Sequence, residues 1–151
     1  MKAITDLLTI INNLKVPVGN LGLSRQIMPQ IDKDRKSRFF AALDEYGIMS
    51  TEETVSVMEL RLIQAEVNKT KVWKFMGLLR QRKVFEPILI SADDFVLDGS
   101  HRFVATMNKN RRAKMKVIRL HMNALELVRL LKVNKGDFGT RYRSLSGDDI
   151  E

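Results

Sequence analysis

Five consecutive residues, Asp98, Gly99, Ser100, His101 and Arg102, combine a carboxylate, an unhindered backbone position, a hydroxyl, an imidazole and a guanidinium. They stand between two apolar triplets, Phe95-Val96-Leu97 and Phe103-Val104-Ala105. A strand that breaks at Asp-Gly and opens into a helix leaves the first helical N–H groups unpaired, and the helix dipole adds partial positive charge at the same point. The chemistry this predicts is anion binding. Arg102 and His101 would supply charge or hydrogen bonds, Ser100 a hydroxyl, and Asp98 a metal ligand or a base. As a bare local pattern the same residues also read as a hairpin end and an ordinary helix start, with Asp98 or Ser100 as the capping side chain.

The run from Asp98 to Ala105 resembles the Gly-x-x-Arg-x-x-Ala phosphate motif of the ParB/sulfiredoxin superfamily. Its Asp-Gly-x-His-Arg form is most similar to the branch that contains free serine kinases and phage-encoded ParB-like proteins. Upstream, Leu60-Arg61-Leu62-Ile63-Gln64-Ala65-Glu66-Val67-Asn68 is similar to the Gln-containing segment before the first long helix of ParB domains, so that the resemblance spans roughly residues 54 to 122. It implies a nucleotide (ATP, ADP or CTP) with Mg²⁺, held through Gly99, Ser100, His101 and Arg102, with Asp98 as the metal ligand; the neutral amide of Gln64 suits a hydrogen bond to sugar or base and equally a cap on the adjacent helix.

Two departures from the family pattern matter. Ser100 stands where sulfiredoxins carry a reactive Cys, and the chain has no Cys, which excludes sulfiredoxin chemistry. Glu66 stands where chromosome-segregation ParB proteins have Arg, and free serine kinases carry a catalytic Glu on this segment. Glu66 and Asp98 are therefore the candidates for a carboxylate that orients a hydroxyl acceptor and takes its proton during phosphoryl transfer.

Composition narrows the classes further. A chain of 151 residues is long enough for one domain with its own core. With 26 Lys plus Arg against 18 Asp plus Glu, the net charge of +8 favours a polyanionic partner. Lys109, Arg111, Arg112, Lys114 and Lys116 are clustered with no aromatic among them, which suits phosphate contact with DNA rather than base stacking. Without Cys, and with His101 and His121 as the only histidines, zinc sites and thiol nucleophiles are not expected. No carboxylate cluster suggests a two-metal nuclease. There is no 18-residue apolar run and no basic-then-apolar leader, so the expectation is a cytoplasmic protein (host cytoplasm, if phage-encoded) without a membrane partner.

The elements that must position these residues follow from periodicity. Ile4, Leu7, Leu8, Ile11 and Leu14 predict a first amphipathic helix, and Phe39, Phe40, Leu43 and Tyr46 a second over about 35 to 46, closed by Gly47 as a left-handed cap. The connection between them, 16 to 34, reads as irregular; its Met28-Pro29-Gln30 has no evident mechanism, although Gln30 could line a pocket. A strand is predicted over 54 to 60, a helix over 69 to 82 and a hairpin from Ile88–Ile90 and Phe95–Leu97. A helix then runs to about Asn108, followed by a strand over 115 to 120 and a helix over 124 to 133. Trp73, Phe75 and Met76 read as packing residues, and His121 as structural or exposed.

The fold expected is α+β: a small mixed sheet with packed helices of ParB/sulfiredoxin type over 54–133, behind a helical N-terminal extension over 1–53 and ahead of a flexible tail over 134–151. Two functions fit. One is a Mg-dependent phosphotransferase moving a phosphoryl group from the nucleotide to a nucleic-acid hydroxyl or a free amino acid such as serine. The other is a non-catalytic or nucleotide-gated DNA-binding module, for which the chain offers no room for the helix-turn-helix domain that segregation ParB proteins place after this fold.

Overall fold

The computed structural model describes residues 2–17, 19–64, 67–83, 85–143 and 149–150. In chain order these form α1 (Lys2–Asn12), α2 (Lys36–Glu45), β1 (Ser50–Ser56), β2 (Arg61–Leu62), α3 (Lys69–Arg80), β3 (Ile88–Ile90) and β4 (Phe95–Asp98). There follow α4 (Ser100–Lys109), β5 (Lys114–Leu120), α5 (Ala124–Val133), α6 (Lys135–Phe138), β6 (Tyr142–Arg143) and β7 (Asp149–Ile150). Five strands make one mixed sheet in the order β1-β5-β3-β4-β2. The β3–β4 hairpin lies at its centre; β5 is parallel to β3, β2 parallel to β4, and β1 antiparallel to β5. This is the α+β class expected from the sequence.

All three residues of β3 are buried, as are the first three of β4, because the sheet is covered on both faces. The two-residue period of a strand sorts them. Leu89, Phe95, Leu97 and Leu120 point to one face with Phe39 and Leu43 of α2, Leu127 and Leu131 of α5 and Phe138 of α6. Ile88, Ile90, Val96 and Val117 point to the other, with Val72 of α3 and Phe103 and Val104 of α4. Continuous apolar triplets thus serve two cores at once.

Three boundaries differ from the sequence reading. β1 begins at Ser50 and ends at Ser56, where a 3-10 turn replaces the expected strand over 57–59. Its first half is exposed and polar, and Val55 is its one buried residue, so apolar alternation is missing; full pairing with β5, from Ser50↔Leu120 to Ser56↔Lys114, holds it in place. The helical extension is not separate from the sheet, since Phe39 and Leu43 are core residues. Residues 134–143, expected within a loose tail, carry a four-residue helix that buries Phe138. A backbone ladder joins Gln30 and Arg141 (2.7 and 3.0 Å), and one turn of helix is too short for periodicity to reveal.

The end of α3 has a cost. Lys83 N–H bonds to the Leu78 carbonyl (3.1 Å) and Arg82 N–H to that of Leu79 (3.0 Å), the pairing that closes a helix through a left-handed residue. That residue is Arg82, at φ 58°, where glycine is usual. A side chain there costs about 1 kcal/mol.

Candidate functional site

Gly99 is the N-cap of α4, at φ 97° in the left-handed region, and as a glycine it offers no capping side chain. The cap position is thus neither of the two expected: Ser100 is the first helical residue, and Asp98 lies one residue before the cap, its carboxyl hydrogen-bonded to the Gly99 backbone. The turn is tight. A Cβ at Gly99 would stand 2.4 Å from Ile88 Cγ2 and 2.9 Å from an Arg102 nitrogen. Glycine is required here for its backbone conformation and for the close approach of β3.

The open end of α4 faces a cleft of about 520 Å³ between α3, α4 and the segment 28–32. Asp98, Gly99, Ser100, His101, Arg102 and Gln64 all line it. So do Met28, Pro29, Gln30 and Asp32, and on the α3 side Lys71, Lys74, Phe75 and Leu78. Phe75, expected to be packing alone, does both: it packs edge-on against Phe85 and faces the cleft. Trp73 lies under the Arg80 guanidinium, 5.3 Å from its ring. Gln30 is held by its backbone ladder, Gln64 by a parallel bridge to Leu23, and the side-chain nitrogen of Gln30 is buried without a hydrogen-bond acceptor among the described residues. A group that accepts hydrogen bonds would satisfy it.

Charged groups interlock at the mouth. Arg102 donates from Nη1 to the Glu86 carbonyl (2.9 Å) and reaches Asp98 Oδ2 from Nη2 (3.5 Å). Lys36 pairs with Glu86 Oε2 at 2.6 Å and stands 4.0 Å from Asp98 Oδ2. Burial raises the Asp98 carboxyl above its ordinary value, against the opposing pull of Arg102 and Lys36. Arg102 has five N–H donors, so these two partners leave others for an anion.

His101 has a different part. The N–H of Asn68 donates to His101 Nε2 (3.0 Å), while Asn68 Oδ1 caps α3 by accepting from Thr70 and Lys71 N–H (3.0 and 3.2 Å). The imidazole thus ties the start of α3 to the start of α4, and its Nε2 is occupied as an acceptor rather than offered to an anion. Ala65 and Glu66 lie outside the described residues. Lys109, Arg111, Arg112, Lys114 and Lys116 stand apart from the cleft, at the far end of α4, in the following turn and at the start of β5, all exposed. Among the described residues no three His, Asp or Glu side chains converge as a metal centre. No described helix is long and apolar enough to cross a membrane. His121 is exposed, with Nε2 3.1 Å from Thr51 Oγ1.

Sequence reasoning missed Lys36, Glu86, Asp32, Lys71 and Lys74. Each is a solvated-looking residue on its own helix or loop, and nothing local marks it as a neighbour of Asp98 or Arg102.

Two solved ParB N-domains are similar to this chain. The C2221 form of the Pnob8-like ParB-N domain is 18% identical, with a TM-score of 0.41 over 58% of this chain and 39% of its own. The pNOB8-like ParB N-domain is 16% identical, with a TM-score of 0.42 over 69% of this chain and 54% of its own. The chain therefore covers about half or less of the length of these structures. No family model and no curated protein matches it.

Proposed function

We propose that this protein is a ParB-like nucleotide-binding module whose cleft takes the phosphate groups of a nucleotide on the N-terminus of α4. One observation carries the reading: a ten-residue helix begins at a glycine N-cap, which offers no side chain of its own, and its start lines a cleft beside the Arg102 guanidinium. Unpaired N–H groups, the positive helix end and a charge-assisted donor are together suited to phosphate oxygens. Lys71 and Lys74 add charge on the opposite wall, while the Gln30 and Gln64 amides offer hydrogen bonds to a sugar or base. Mg²⁺ fits the same place, because that ion is commonly held by one or two carboxylates together with phosphate oxygens, and Asp98 is the carboxylate at the helix start.

The finer reading is a phosphotransferase with ATP, ADP or CTP as donor. The acceptor hydroxyl oxygen bonds to the terminal phosphorus as the bond to the bridging oxygen breaks, and the acceptor proton passes to a carboxylate. Asp98, raised by burial, is a better proton acceptor than an ordinary aspartate, and Glu66 is the second candidate. The alternative, a nucleotide-gated DNA-binding module, is favoured by the exposed basic run from Lys109 to Lys116.

Calorimetric titration with ATP, ADP, CTP and GTP in the presence of Mg²⁺ tests the binding reading, and product analysis with serine or DNA tests transfer. Arg102→Ala should weaken nucleotide binding by roughly 10- to 100-fold, the worth of one hydrogen bond to a charged group. It should leave cooperative unfolding intact, since what disappears is mostly a guanidinium at the cleft mouth. Equal affinity in mutant and wild type would remove the phosphate site.

A further inference from the structure

β1 is a free edge of the sheet: the strand order is β1-β5-β3-β4-β2, and among the described residues no strand pairs with the far side of β1. The strand is seven residues long, runs in unbroken register against β5 and contains no Lys and no Pro. Short length, a bulge, a lysine or a proline are the devices that ordinarily keep an edge from pairing with another chain. β1 has none of them. Ser50, Thr51, Glu52 and Thr54 are exposed, and an exposed methionine stands at each end, Met49 (68%) and Met58 (65%).

The backbone fixes which groups are left over. The His121 N–H donates to the Met49 carbonyl (2.9 Å) and the Val57 N–H to the Ala113 carbonyl (3.0 Å), and both bonds continue the β1–β5 register past the ends of β1. In an antiparallel ladder the residues that exchange hydrogen bonds recur at every second position, so Thr51, Glu53 and Val55 turn their N–H and C=O groups to β5. Ser50, Glu52, Thr54 and Ser56 turn theirs outward.

The strand's own sequence then fits one register with itself. A two-fold axis at Glu52 or Glu53 would set that carboxylate against its own copy, which like charge disfavours. An axis at Val55 would leave only Thr54 and Ser56 facing each other. An axis at Thr54 sets Thr54 against Thr54, a favourable hydroxyl pair, with Glu52 against Ser56 on either side. Glu52, Ser56 and Lys114 point to one face of the sheet, because Ser56 pairs directly with Lys114. Glu52 thereby comes two strand spacings, about 10 Å, from Lys114 of the partner subunit, a span that these two long side chains cover. The same axis brings Met58 of one copy to the end of the strand where Met49 of the other stands.

We infer that β1 is the seam of a homodimer, pairing antiparallel with β1 of a second copy about an axis at Thr54 and joining two five-stranded sheets into one. An edge that is unprotected, carries two Glu and no cation, and matches itself in one register fits a second copy of this chain better than an unrelated strand. β4, which leads into the cleft, is three strands from β1, about 14 Å. Pairing leaves both clefts open, and the inference does not rest on the nucleotide reading.

Sedimentation of the full chain over a range of concentrations tests the seam, and wild type should associate reversibly to a dimer. Thr54→Pro removes an N–H that points outward and is not used by β5, the setting in which an edge strand tolerates proline. It should weaken association by roughly 10- to 100-fold, the worth of the two hydrogen bonds lost at the axis, while unfolding stays cooperative. Cysteine reads the register, since the chain has none. Thr54→Cys places two thiols across the axis at a Cα separation of about 5.5 Å, within disulfide reach, and should cross-link two chains on mild oxidation. Ser56→Cys sets the two about 13 Å apart along the strands and should not. A wild type that stays monomeric throughout overturns the seam, as does a dimer that Thr54→Pro leaves at full strength. Equal cross-linking of the two cysteine variants overturns the axis at Thr54.

Discussion

Replacing Gly99 by alanine should cost this protein about 3 to 5 kcal/mol, the largest stability loss expected of any single methyl group in the cleft region. Two costs add. The residue sits at φ 97°, where an L side chain is strained by about 1 to 2 kcal/mol. The new Cβ would also stand 2.4 Å from Ile88 Cγ2, well inside van der Waals contact. Ile88 is fully buried at the centre of the sheet and packs among Val96, Val117 and Phe103, so it has nowhere to withdraw. Either β3 or the start of α4 must move, and moving α4 opens the cleft. Thermal unfolding should show a fall on the order of 10 °C in a domain of this size. A fall of only a degree or two would mean that the β3–α4 contact is easily relaxed and that the helix start is not held rigidly.

The second large effect is at Asp98 and runs in opposite directions for stability and activity. Burial raises its folded-state pKa above the unfolded value of about 3.9, despite Arg102 at 3.5 Å and Lys36 at 4.0 Å. A raised carboxyl binds its proton more tightly in the folded state, so its contribution to stability is fully present below the unfolded pKa and is lost as pH rises through the folded one. Asp98→Asn keeps the shape and cannot ionise. The variant should therefore gain in melting temperature relative to wild type as pH rises from about 3 to 7, and the gain should level off above the raised pKa. If Asp98 is the proton acceptor or metal ligand for phosphoryl transfer, the same variant should lose roughly 10²- to 10⁴-fold in transfer rate. Glu66→Gln is the companion measurement. Transfer that survives Asp98→Asn and fails in Glu66→Gln would move the base to Glu66; transfer unaffected by both would leave a binding module. A melting temperature of Asp98→Asn that falls below wild type at neutral pH would show that the two cations outweigh burial.

Much of the cleft was legible because its central part is local. A strand that ends at Asp98-Gly99 and a helix that starts at Ser100 are neighbours by covalent connection, so the glycine-headed helix start and Arg102 follow from a dozen residues. The hairpin and α5 were legible for the same reason: apolar spacing reports local geometry directly. The amino-acid sequence by itself also determined the charge, the absence of thiol chemistry and the Gly at a position where only Gly fits.

Only the tertiary structure decided what stands opposite. Gln30 and Asp32 reach the cleft because residues 28–32 are tied to Arg141 by a backbone ladder and an ion pair, and Lys36 meets Asp98 because α2 packs on the sheet. His101, read in the sequence as an anion ligand, also accepts at Nε2 from the Asn68 N–H and so ties α3 to α4. Phe138 and Tyr142, in a stretch without periodicity, are buried. These outcomes share a physical cause. Hydrogen bonds and contacts between residues distant in the chain are selected by how whole elements pack, and a residue type carries no local trace of the partner that packing will bring to it.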